Sequence, residues 1–171
     1  MRASRSVRSV TLRKLAVTLG AGVILAYAAL GALLMSRWEL EAASGLPIKD
    51  TVAAMAADEQ SYSVIPGVVF AVTGGLLAIV WAVTTHTAAG RVSGWLSAAL
   101  WAAIVALGAP AYFFASFANM NSVGDTFYDW DSQAAFALVS PLYLLSGVAA
   151  LLAVVALVMG LRQQSSLRQV M

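Results

Sequence analysis

Four stretches of this chain are long, apolar and free of Asp, Glu, Lys and Arg: residues 15–36, 64–85, 92–118 and 134–161. A hydrocarbon layer about 30 Å thick needs roughly 20 apolar residues in a helix, and each stretch meets that length. Lipid offers nothing to pair with open backbone groups, so each span is expected to be helical. The expected fold class is an all-α integral membrane protein with four transmembrane helices. Composition points the same way. The 171 residues are 61% apolar and 11% charged, where a soluble domain carries about 25% charge. So few charges cannot cover a water-facing surface.

The charges between the spans predict an orientation. One side collects the arm 1–14, the turn 86–91 and the tail 162–171, with Arg2, Arg5, Arg8, Arg13, Lys14, Arg91, Arg162 and Arg168. The other side collects the loops 37–63 and 119–133, with Arg37, Lys49 and all eight acidic residues. Basic loops stay in the cytoplasm, which predicts both termini inside. The Ala-rich usage suggests a bacterial chain, and so a multi-pass protein of the cytoplasmic membrane. The first span follows a basic start, as a signal peptide would. Its apolar stretch exceeds the 7–15 residues of such a segment, which predicts a retained anchor helix.

The chain has no Cys and a single His, His86. A lone His with no thiolate cannot build an all-protein metal site, and it cannot supply two axial ligands to a haem. At the end of the second span it reads as an interfacial residue that the helix dipole tolerates. Ionisable residues at mid-membrane mark ion paths and substrate sites. Their absence from the four spans argues against a pump or an ion-coupled transporter. Small residues recur four apart at Ala16/Gly20, Ala28/Ala32, Ala71/Gly75, Ala98/Ala102/Ala106 and Ala149/Ala153, a spacing that lets helix backbones approach closely. Pro66 and Pro141 are expected in first helical turns, where Pro is tolerated. Pro110 is expected to bend the third helix. Trp81, Trp95 and Trp101 are assigned by default to an anchoring belt.

The outer loops carry the candidate site residues. In 37–63, KDTVAAMAADEQ predicts a short interfacial helix with Asp50 as N-cap, and Val52 and Met55 on one face as candidate docking residues. In 119–133, NMNSVGDTFYDWDSQ sets Asp125, Asp129 and Asp131 beside Phe127, Tyr128 and Trp130. A calcium loop needs oxygens at alternate positions with Gly at the sixth. The Asp spacings of four and two do not fit, so no metal is assigned. Aromatic residues suit an interface core with acids at its rim, which makes this segment the second candidate docking surface. In the arm, Arg2, Arg5, Arg8, Arg13 and Lys14 are candidate contacts to anionic lipid. Nucleic acid is not an expected partner.

No serine–histidine–acid set, zinc motif, phosphate loop or dinucleotide motif is present, so no catalytic residue and no enzymatic activity are assigned. No cofactor is assigned, with a bound lipid or quinone left open. The expectation is a non-catalytic accessory subunit of a larger bacterial membrane complex, with larger membrane subunits as partners. The host expected from general frequency is a respiratory assembly of the cytochrome bc–oxidase type. Two other readings stand beside it: a small transporter or a lipid- or quinone-handling protein, and an outer-surface membrane enzyme.

Overall fold

A computed structural model describes residues 2–87 and 93–169, with side chains described over 11–87 and 93–163. Arg91 and the side chains of Arg2, Arg5, Arg8 and Arg168 lie outside the described residues. The elements are α1 (Arg2–Leu33), a π-helical turn (Leu34–Trp38), α2 (Glu39–Ser44), α3 (Ile48–Ala57), α4 (Ile65–Thr87), α5 (Gly94–Thr126) and α6 (Ser132–Gln169). Among the described residues there is no strand. Four helical segments are long and apolar enough to cross a membrane: Thr11–Ser44, Ile65–Thr87, Gly94–Thr126 and Ser132–Gln163. Their outward faces carry exposed Leu, Val, Ile and Phe along their lengths, Phe114 and Leu151 among them. Soluble monomers rarely show so much contiguous apolar surface.

The helices associate as two antiparallel pairs, α1 with α4 and α5 with α6. Small residues set the spacing of the first pair. A Cβ placed on Gly74 would collide with the Cβ of Ala28, and one on Gly67 would collide with the Ser36 hydroxyl. Gly75 has open space in the same construction. The close approach therefore runs through Gly67 and Gly74, two turns apart, rather than through the Ala71/Gly75 step. Polar side chains then tie the pairs together. Tyr27 Oη lies 2.9 Å from Ser146 Oγ, and Ser146 Oγ donates to the Val105 carbonyl at 2.9 Å. That triad joins α1, α5 and α6 at a buried position, where no water competes for the bonds.

The first helix does not stop where its apolar span ends. It widens at the π-turn and runs on through α2 to Gly45, whose φ of 68° and N–H bond to the Glu41 carbonyl close it. Arg37, Glu39 and Glu41, expected in a loop, sit on this continuous helix. The third helix likewise runs to Thr126, because Ser122 and Val123 are buried against neighbouring elements and hold its last turns. Only residues 127–131 are left to connect it to α6. In α3 the N-cap is Pro47 and Asp50 falls in the first turn, which corrects the expected cap. Pro141 lies inside α6, well past its first turn, since that helix begins at Ser132.

Candidate functional site

The chemistry-bearing side chains gather at the end of the bundle that holds α2, α3 and the 127–131 connection, called the far end below. Its centre is Glu39, which is 7% exposed and accepts a hydrogen bond from the buried Tyr112 hydroxyl of α5. The π-turn just before Glu39 widens the helix and frees carbonyls from regular pairing. Side chains from elsewhere supply donors there. Tyr62 Oη donates to the Ser36 carbonyl at 2.7 Å, and Asn119 Nδ2 approaches the Met35 carbonyl at 3.4 Å. Asn119 also pairs both ways with Ser63: its Nδ2 donates to the Ser63 carbonyl at 2.8 Å, and its Oδ1 accepts from the Ser63 N–H at 3.1 Å. One amide thus binds α5 to the π-turn and to the start of α4.

Around this polar hub sits a second small core of Leu40, Ala43, Met55, Val123 and Ala135. Glu41 braces it from outside. Its Oε1 accepts from Arg37 Nε at 3.1 Å and from the Ile48 N–H at 2.9 Å, which fixes α3 on α2. Thr51 is fully buried, and its hydroxyl lies 2.7 Å from Ser44 Oγ. Burial raises the Tyr62 phenol above its ordinary value of 10.0, so it stays a donor through neutral and mildly alkaline pH.

The residues singled out from sequence divide into four groups. Met55 is a core residue and Val52 is half-buried, so neither offers an open docking face. Phe127 packs against the second core, and Trp130 lies against Gly124. Asp131 is structural: its N–H donates to the Ala43 carbonyl at 2.8 Å, and its Oδ1 accepts from the Ala134 N–H at 2.8 Å as the N-cap of α6. Tyr128 is 98% exposed, with Asp125 and Asp129 exposed on either side. The turn that carries it is held at both ends, since Phe127 N–H bonds to the Val123 carbonyl and Trp130 N–H to the Phe127 carbonyl.

Glu39, Tyr62, Tyr112 and Asn119 are not among the candidate site residues drawn from the sequence. Glu39 lies two residues past Arg37, outside the apolar stretch, and only the continuation of the helix brings it inside. A cavity of about 210 Å³ reaches Glu39 and is walled by aromatic side chains including Phe117, Trp130 and Tyr143. Tyr143 stands edge-on to Tyr112 with ring centroids 6.2 Å apart. A larger cavity, about 550 Å³, opens at the opposite, near end between α1, α4 and α5. Arg13 stands at its rim and donates to the Thr85 carbonyl. Lys14 beside it is exposed.

Four membrane-length apolar helices around an internally bonded polar hub mark the chain as a multi-pass helical membrane protein. Comparison with protein-family models, with curated proteins and with solved structures finds no match.

Proposed function

We propose that this protein is a non-catalytic accessory subunit of a larger bacterial membrane complex, held in the cytoplasmic membrane with both termini inside. The far end then faces outward, and α3 lies at the membrane surface. The basic arm and the acidic far end support that orientation through the asymmetry of Lys and Arg. The observation that carries the reading is the 127–131 turn. Its backbone is tied to α5 and α2, yet it holds Tyr128 wholly outward between acids. An exposed aromatic on a rigid support loses little entropy on docking, and aromatic anchors dominate interface energies. Among the described residues every fully buried side-chain nitrogen and oxygen has a partner within the chain.

A respiratory assembly of the cytochrome bc–oxidase type is the proposed host, because such assemblies carry small cofactor-free helical subunits. Deleting this chain should weaken that assembly, seen as a shift to smaller particles on native gels, while turnover of the remaining particles persists. A total loss of turnover in an otherwise intact assembly would contradict an accessory role. A second reading, a quinone- or lipid-handling protein, draws on one observation: the Glu39 carboxyl borders an aromatic-walled cavity.

A further inference from the structure

The near-end cavity is bounded by Arg13 and Gly20 of α1, Trp81 and Thr85 of α4, and Ser97 and Trp101 of α5. Its walls are rigid and chemically closed. Trp81 Nε1 donates to the Ser97 carbonyl at 3.0 Å, and Trp101 Nε1 donates to the Gly20 carbonyl at 2.9 Å. The hydroxyls of Thr85 and Ser97 lie 2.6 Å apart and bond to each other. These polar groups of the walls are thus engaged by the protein itself, and the surface left to a ligand is mostly apolar. Gly20 has no side chain where a Cβ would run into the Trp81 ring, so that ring lies flush with the backbone.

Arg13 is the one cation among the described residues lining this space. Its guanidinium carries five N–H donors and stays charged at any working pH, so one carbonyl does not exhaust it. From Arg13 to Gly20 the helix rises about 10 Å, long enough to lie along a run of methylenes. An apolar slot with a fixed cation at its rim, in a chain surrounded by lipid, complements a ligand with a long apolar tail and one anionic head.

We propose that this cavity binds one acyl chain of an anionic glycerophospholipid, with its phosphate on Arg13 and Lys14 beside it at headgroup level. The site is independent of the accessory-subunit reading and would persist if that reading failed. Arginine matches phosphate as a fork of paired donors.

The test uses the full chain in phosphatidylcholine vesicles, with Trp38→Phe, Trp95→Phe and Trp130→Phe leaving Trp81 and Trp101 as emitters. Bromine on the acyl chains of added phosphatidylglycerol quenches a tryptophan that it touches. Brominated phosphatidylglycerol should quench with at least fivefold higher relative affinity than brominated phosphatidylcholine. Arg13→Gln should cut that preference by about fivefold, the weight of one basic residue near an anionic surface, and Arg13→Lys should keep most of it. Ala98→Phe, which fills the slot from α5 and leaves the Arg13 side chain unchanged, should reduce quenching by both lipids. Equal quenching by the two lipids would overturn the proposal, as would a preference unchanged in Arg13→Gln. Undiminished quenching in Ala98→Phe would overturn it through a variant that leaves Arg13 in place.

Discussion

The Glu39–Tyr112 contact can be tested as a pair. Both residues are buried, and the hydroxyl of Tyr112 donates directly to the carboxyl of Glu39. Hydrogen bonds to charged groups contribute about 1.5–3 kcal/mol in general, while polar contacts between membrane helices average about 0.6 and reach about 1.7 kcal/mol. Tyr112→Phe removes the donor and leaves a buried carboxyl without it, so the single change should cost about 2 kcal/mol. Glu39→Leu leaves the Tyr112 hydroxyl without its acceptor and should cost a similar amount. Replacing both partners by apolar groups avoids an unsatisfied buried group. The double variant should therefore cost well below the sum, with a coupling energy of about 1–2 kcal/mol. The assay is reversible unfolding in mixed micelles, followed by helical circular dichroism, across all four members of the cycle. Costs that add to within about 0.5 kcal/mol, as for independent sites, would refute the reasoning.

Three further outcomes follow from named contacts. Gly74→Ala should destabilise by about 1–3 kcal/mol, because its new methyl meets Ala28, while Gly75→Ala should be neutral or stabilising; thermal unfolding of the two variants checks the contrast. Asp131→Ala removes the α6 N-cap and should cost about 1 kcal/mol, read as a lowered unfolding midpoint, with Asp131→Asn recovering most of it. Tyr62 has a raised folded pKa, so its contribution is fully present below the ordinary value of 10.0 and is lost as pH climbs through the raised one. The stability gap between the wild type and Tyr62→Phe should accordingly narrow only above about pH 10, as measured by unfolding in alkaline buffers.

The membrane helices were legible because the physics that makes them is legible in composition: a charge-free apolar run of about 20 residues has one stable answer in lipid. Their ends were not. The run of apolar residues stops near Ser36 and again near Ala118, and a hydropathy reading stops the helices there. The chain continues as helix in both places because Leu40, Ala43 and Val123 pack into a second core at the ends of the membrane-length segments. That core has no periodic signature of its own. It is assembled from parts of α2, α3, α5 and α6 that lie far apart in sequence.

The candidate site suffered from the same limit. Asp125, Asp129 and Asp131 stood out by density, yet Asp131 caps a helix, and the other two are exposed. Glu39 drew no notice because it fell just outside the apolar stretch. No α-helical spacing marks it: Glu39 and Leu40 stand five residues after buried Leu34 and Met35, a step that only the π-turn brings to one face. Tyr112 lies within the third apolar span and Asn119 opens the loop after it, and nothing local marks them, since their partners lie more than 50 positions away. Tyr128, with the exposed Asp125, Asp129 and Trp130 around it, keeps the docking role as a proposal resting on exposure and a held turn.

Purification in a gentle detergent bears most directly on the accessory-subunit claim. The chain, tagged at its C-terminus and drawn from native membranes, should elute with larger membrane proteins at a constant molar ratio through affinity and size-exclusion steps, and Tyr128→Ala should lower that ratio. Elution as a clean monomer, free of larger membrane subunits under conditions that keep its own fold, would contradict the account.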